Sequence, residues 1–165
     1  MTGNKIFDCT EMFRHACSFV DCAELCRDKE DHINFAKPEI VNSALACEVF
    51  LKALCHYYDI DLKPLFKKKK GHNLKALYDV LPKDKKEQLK TKVSHGCKDM
   101  WLNSFGIEYL DDISDAFQQW RYSYESKNLS MPTWFLTSFC DELREICCQL
   151  FYKMAWNEYK GSKNG

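Results

Sequence analysis

His72 closes the run Lys67-Lys68-Lys69-Lys70-Gly71 and opens His72-Asn73-Leu74. An imidazole titrates near neutral pH, so it can give or take a proton, and a block of ammonium groups beside it attracts phosphate. Arg121, one of four arginines, stands in Trp120-Arg121-Tyr122-Ser123-Tyr124-Glu125. Metal-free cleavage of RNA needs a base for the 2′-hydroxyl proton and a cation for the charge on the phosphorane, and a histidine with an arginine supplies both. His72 and Arg121 are therefore the candidate catalytic groups. Lys67, Lys68, Lys69, Lys70, Lys75 and Tyr122 are the candidate nucleotide or RNA contacts, and Phe66, Tyr57 and Tyr58 offer rings on which a base can stack. Each feature also has a plainer reading. A lysine run is ordinarily a solvated loop, and His72 is placed to support the cap of the helix that Asn73 begins.

A third set of residues is polar where its surroundings are not. Glu48 sits on an almost wholly apolar helix, and a buried carboxylate needs a partner. Arg121 flanks the core stripe of a later helix, so the two are expected to meet inside the bundle or at its rim. Glu125, four residues after Arg121, adds a possible surface ion pair worth only about 0.3–0.5 kcal/mol. Glu48, Arg121 and Glu125 are thus the expected structural polar group, while Trp120 and Tyr124 pack.

The totals narrow the classes. The chain of 165 residues has no net charge, 45% hydrophobic and 29% charged residues, which fits one soluble globular domain. Six glycines and four prolines are too few for a turn-rich β-sandwich or barrel. Charge is unevenly spread: residues 62–92 hold eleven lysines against Asp79, Asp84 and Glu87, a local +8 that the remainder offsets. This excludes a globally basic nucleic-acid binder and leaves a local basic face. No apolar run is long enough to span a membrane, and Met1 to Asp8 lack a secretory apolar stretch, so a cytoplasmic location without membrane association is expected. Ten cysteines include no Cys-x-x-Cys, so they are read as reduced, small hydrophobes, with no metal or other cofactor expected.

These residues must be positioned by helices. Apolar spacing of three and four residues predicts helices over 8–30, from Pro38 to about Tyr57, over Asn73–Leu81, and over 107–125 and 132–159, with a weaker lysine-rich segment at 82–93. Pro38 suits a first helical turn and Asn73 an N-cap. The expected fold is all-α: an up-and-down bundle of four or five main helices with short extra helices, filling 8–160 between flexible tails 1–7 and 161–165. In it, 38–58, 107–125 and 132–159 lie together as antiparallel cylinders.

The order of three stretches carries a resemblance. PEIVNSALACEVFLKAL, then GHNLKALYDVLP, then FQQWRYSYE resembles the HEPN superfamily, the higher eukaryotes and prokaryotes nucleotide-binding domain, over roughly residues 10–155. It looks like a bacterial branch without the family's Arg-x4-6-His ribonuclease motif. No histidine follows Arg121, and the one literal match, Arg27 to His32, lies at the end of the first predicted helix. The resemblance implies a helical bundle that is often a homodimer. It also implies a module that binds nucleotide, RNA or a partner protein encoded nearby, in a toxin–antitoxin, defence or nucleotidyltransferase-associated setting. Its alternatives are a divergent metal-independent endoribonuclease and a non-catalytic dimerising adaptor.

Overall fold

Apolar residues at helical spacing build two long helices at the start of the chain. Along α1 (Gly3–Arg27), Cys9, Phe13, Ala16, Val20 and Ala23 are buried. Along α2 (His32–Tyr57), Ile40, Ala44, Cys47, Leu51 and Leu54 are buried, as are Ala46, Phe50 and Ala53 beside them. A helix walled on more than one side is the centre of its bundle. The two helices are antiparallel. Lys5 pairs with Asp59 at 2.5 Å, the Cys9 thiol approaches the Ala53 carbonyl at 3.9 Å, and Arg27 donates to Glu39 at 2.8 Å.

The structure, a computed structural model, describes residues 3–30, 32–96, 106–122 and 131–163. After α2 come α3 (Lys63–Lys67), α4 (Leu74–Asp79) and α5 (Lys83–Gly96), then a 3₁₀ turn at Ile107–Leu110, α6 (Ala116–Arg121), α7 (Thr133–Tyr152) and α8 (Trp156–Lys163). There is no strand among the described residues, and the fold is an all-α helical bundle. No described helix is long and apolar enough to cross a membrane.

α7 buries Phe135, Phe139, Leu143, Ile146 and Cys147 along one stripe. Its start meets Arg27 through Thr137 at 3.3 Å, Arg144 reaches Glu24 at 3.3 Å, and Phe151 packs edge-on against Phe13 at 6.3 Å. α7 is therefore antiparallel to α1 and runs in the same sense as α2, so the expected antiparallel α2–α7 pairing is corrected. Phe13 is the centre of an aromatic nest formed with Phe50, Tyr152, Trp156 and Tyr159 at centroid distances of 5.4–6.1 Å.

Several expected bounds shift. α1 begins at Gly3, so 3–7 is helix rather than tail, and α8 reaches Lys163. Pro38 lies inside α2, not at its first turn. The expected helix 107–125 is a 3₁₀ turn, a run of turns and the short α6, while Tyr124 and Glu125 lie outside the described residues. The expected helix 132–159 breaks at Lys153, whose φ of 60° is left-handed. Glu145 accepts from the Trp156 N–H at 3.0 Å, and Glu158 from that of Ala155 at 3.1 Å, which caps the new helix.

Nine described cysteines are free thiols and most are buried, while Cys97 lies outside the described residues. Burial pushes the thiols of Cys17 and Cys55 up to about 12 from an ordinary 9.0, against the opposing pull of Arg144 and Lys52 respectively. A raised folded value keeps its stabilising effect below the unfolded value and loses it above. Stability to urea should therefore be insensitive to these groups up to about pH 9 and fall from there towards pH 12. Urea titrations along that pH range that show stability constant or rising would contradict the burial assigned to these thiols.

Candidate functional site

Glu48 is buried, with 3% of its surface exposed, in the most apolar helix of the protein. Two donors converge on one of its oxygens. Lys52, one helical turn later, reaches Oε1 at 2.6 Å, and His72 Nδ1 stands 2.9 Å from the same atom. A carboxylate beside an ammonium only accepts, so the His72 hydrogen sits on Nδ1. Nε2 is then the ring nitrogen turned away from Glu48. The His72 side chain is 47% exposed, so the ring is accessible in a way the buried Glu48 is not. Glu48 Oε2 is buried with no hydrogen-bond partner.

The loop that delivers His72 is fixed at both ends. α3 has Pro64 in its first turn, where proline is suited, and closes through Lys69 N–H to the Phe66 carbonyl at 3.0 Å and Lys70 N–H to the Leu65 carbonyl at 2.8 Å. Lys69 takes a left-handed φ of 57°. Asn73 then caps α4, its side chain accepting from the Ala76 N–H at 2.8 Å, as its sequence position predicts. Its amide donates to Asp115 at 2.9 Å, and the Leu74 N–H bonds the Ser114 carbonyl at 2.8 Å. These bonds tie the loop to the lead-in of α6. The plainer role for His72, helping the α4 cap, is thus performed by Asn73 itself.

α6 completes the surroundings. The Phe117 ring lies 6.5 Å from that of His72 at an interplanar angle of 31°, and Phe66 stands edge-on to His72 at 6.4 Å. Arg121 is exposed and stacks over Phe117 at 4.9 Å and over Tyr122 at 4.5 Å, while its Nη2 donates to the Tyr122 hydroxyl at 2.7 Å. No ion pair joins Arg121 to Glu48 among the described residues, so the expected Glu48–Arg121 pair is corrected to Glu48 with Lys52 and His72. Aromatic stacking holds the guanidinium on the outer side of Phe117 instead. Glu125, the third member of that group, lies outside the described residues.

The candidate binding residues divide. Lys68, Lys69 and Lys70 line an open cleft of about 520 Å³, closed on the other side by Asn73, Asp115, Gln118 and Gln119. Lys67 is exposed at the end of α3. Lys75 is occupied by Asp79, its ammonium lying 2.7 and 2.8 Å from the two carboxylate oxygens. Tyr122 is 43% exposed beside Arg121. Tyr57 and Tyr58 pack against the core, Tyr57 lying 5.5 Å from Phe151, and only Phe66 of the three candidate rings is half exposed. The Arg27–His32 match is taken up structurally, because Arg27 is bonded to Glu39 and Thr137 where α1 turns into α2.

Two features were not readable in advance. The Glu48–His72 bond joins residues 24 apart with no local pattern between them. Gly71 is buried under Phe66, and a Cβ there would overlap the ring atoms Cδ1 and Cε1. Among the described residues, no group of three or more histidine, cysteine or acidic side chains is arranged to hold a metal ion. Comparison of the chain with protein-family models, with curated proteins and with solved structures found no match. The likeness to HEPN proteins therefore stands on the three quoted stretches alone.

The Glu48–His72 bond is directly measurable. In a double-mutant cycle of Glu48→Gln and His72→Gln, urea denaturation should return a coupling of about 1–2 kcal/mol, as for a hydrogen bond to a charged group. A coupling within about 0.3 kcal/mol of zero would show that the two side chains stabilise the fold independently.

Proposed function

We propose that the chain is a HEPN-like helical module that binds nucleotide or RNA at the Lys68–Lys70 cleft. The observation that carries the proposal is His72: half exposed, oriented by a buried carboxylate, and set in the chain between Lys70 and Asn73, which both line that cleft. Orientation by a carboxylate is what a phosphate-facing imidazole requires, since it fixes the ring and the position of its proton. The lysines supply the sequence-independent attraction to a phosphodiester backbone, and Arg121 adds a rigid guanidinium across Phe117. A homodimer and a nearby-encoded partner protein belong to the same proposal and are carried by the resemblance, and a cytoplasmic location belongs to it as the sequence reading expects.

One observation favours a second reading, a divergent metal-independent endoribonuclease. With Nδ1–H donated to Glu48, Nε2 is free to take the 2′-hydroxyl proton, and Arg121, stacked on the Phe117 ring beside His72, is the candidate cation for the phosphorane.

Fluorescence anisotropy with single-stranded RNA over a range of salt concentrations tests the first reading. Replacing Lys68, Lys69 and Lys70 together by alanine should weaken binding and reduce the salt slope by about 2, at roughly 0.7 per lost phosphate contact. An unchanged affinity and slope would remove the cleft from the account. Lys69→Gly separates binding from folding: glycine relieves the left-handed strain, so stability should rise by about 0.5–1 kcal/mol while RNA affinity falls. Cleavage of RNA in EDTA, lost in His72→Ala and in Arg121→Ala, would promote the second reading over the first. Wild-type protein that binds RNA and leaves it intact would dismiss it.

A further inference from the structure

A second groove has Phe66 in its wall, two residues before Lys68 of the lysine cleft. It encloses about 480 Å³, with apolar walls from Met12, Ile60, Leu62 and Phe66 and polar groups from Lys52 and Asp8 among its lining. Phe66 is an unusual wall. It is half exposed, yet its ring rests on Gly71, where the missing side chain is what makes room for it. The Lys52 ammonium lies 5.3 Å from its centroid and His72 stands edge-on to it. The ring is therefore held in place on several sides while keeping an accessible surface. That is the property of a stacking platform rather than of a side chain left over at the surface.

Glu48 Oε1 links a residue of the apolar groove to His72, which stands in the chain between Lys70 and Asn73 of the lysine cleft. Lys52 lines the apolar groove and bonds Glu48 Oε1, and His72 bonds the same oxygen. A ligand with a flat apolar part and an anionic part would match this pair of surfaces. We propose that the groove at Phe66 is the base site of the nucleic-acid interface: a nucleobase stacks on Phe66 while its phosphates lie along Lys68–Lys70. This inference rests on the binding function proposed above and adds to it where the base goes and which residues hold it.

The test uses the full chain and two probes, a short unstructured oligoribonucleotide and the same oligomer with abasic sites throughout. Wild-type protein should bind the RNA roughly tenfold more tightly than the abasic oligomer, the advantage expected of base–aromatic stacking. Phe66→Ala and Gly71→Ala, the second of which displaces the ring without removing it, should bring RNA down to the abasic level and leave abasic binding unchanged. Phe66→Trp should restore the advantage. Helix content by circular dichroism checks that each variant is folded, and Phe66→Ala alters only a half-exposed side chain. Equal wild-type affinity for the two oligomers, or an RNA advantage that survives both variants, overturns the base site and leaves the phosphate cleft standing. Binding of neither oligomer by the wild type overturns the nucleic-acid reading and the base site with it.

Discussion

A charge buried in the central helix constrains how this chain folds. Glu48 has neighbours in α2 that are almost all apolar, and an isolated carboxylate there would be strongly unfavourable. Removing one partner of such a buried pair costs about 3–5 kcal/mol in general, because it leaves the other charge uncompensated. Lys52 offsets part of that from within the helix. His72 can do so only if the loop 68–73 folds back over α2, so the polar contact selects one position for the segment that carries the lysines. The same carboxylate that the core must accommodate therefore orients the imidazole that stands in the chain between Lys70 and Asn73 of the cleft.

The apolar packing explains why this loop has something rigid to fold onto. The α1–α2 hairpin is clamped at one end by Arg27 with Glu39 and at the other by Lys5 with Asp59, and Phe13 gathers α2, α7 and α8 around it. The exposed ion pairs contribute little each. Buried rings and aliphatic side chains carry most of the stability, at roughly 25 cal/mol per Å² removed from water. α3, α4 and α6 are short, and α3 and α6 have few buried residues of their own, so caps and cross-links such as Asn73 with Asp115 hold them in position.

Much of the fold was legible because apolar period is a direct consequence of burial. The stripes through Phe13, Leu51 and Phe139 read as helices and are helices, and Asn73 read as a cap and is one. What was illegible had competing local chemistry. Residues 111–115 continue an apolar period, yet they include three aspartates and a serine, and the Ser114 hydroxyl bonds the Asp111 carbonyl at 2.7 Å instead of leaving the backbone to the helix. The break at Lys153 depends on glutamates eight residues before it and five after it, Glu145 and Glu158, capping the next helix. At the site, sequence identified Glu48 as needing a partner and named His72 and Arg121 as the chemistry. It paired Glu48 with the wrong cation, since nothing in a linear pattern reveals that Phe117 and Tyr122 would capture Arg121 by stacking.

The site is thus a consequence of two separable requirements: satisfying a carboxylate in the core and fixing a loop of lysines at the surface. His72 is where they meet, and its proton reports on both. The most direct measurement is a long-range ¹⁵N–¹H correlation spectrum of the histidine rings above the pH at which His72 is charged. A neutral His72 carrying its hydrogen on Nδ1 is the predicted result. A neutral His72 carrying it on Nε2 would contradict the Glu48 bond on which the account of this site is built.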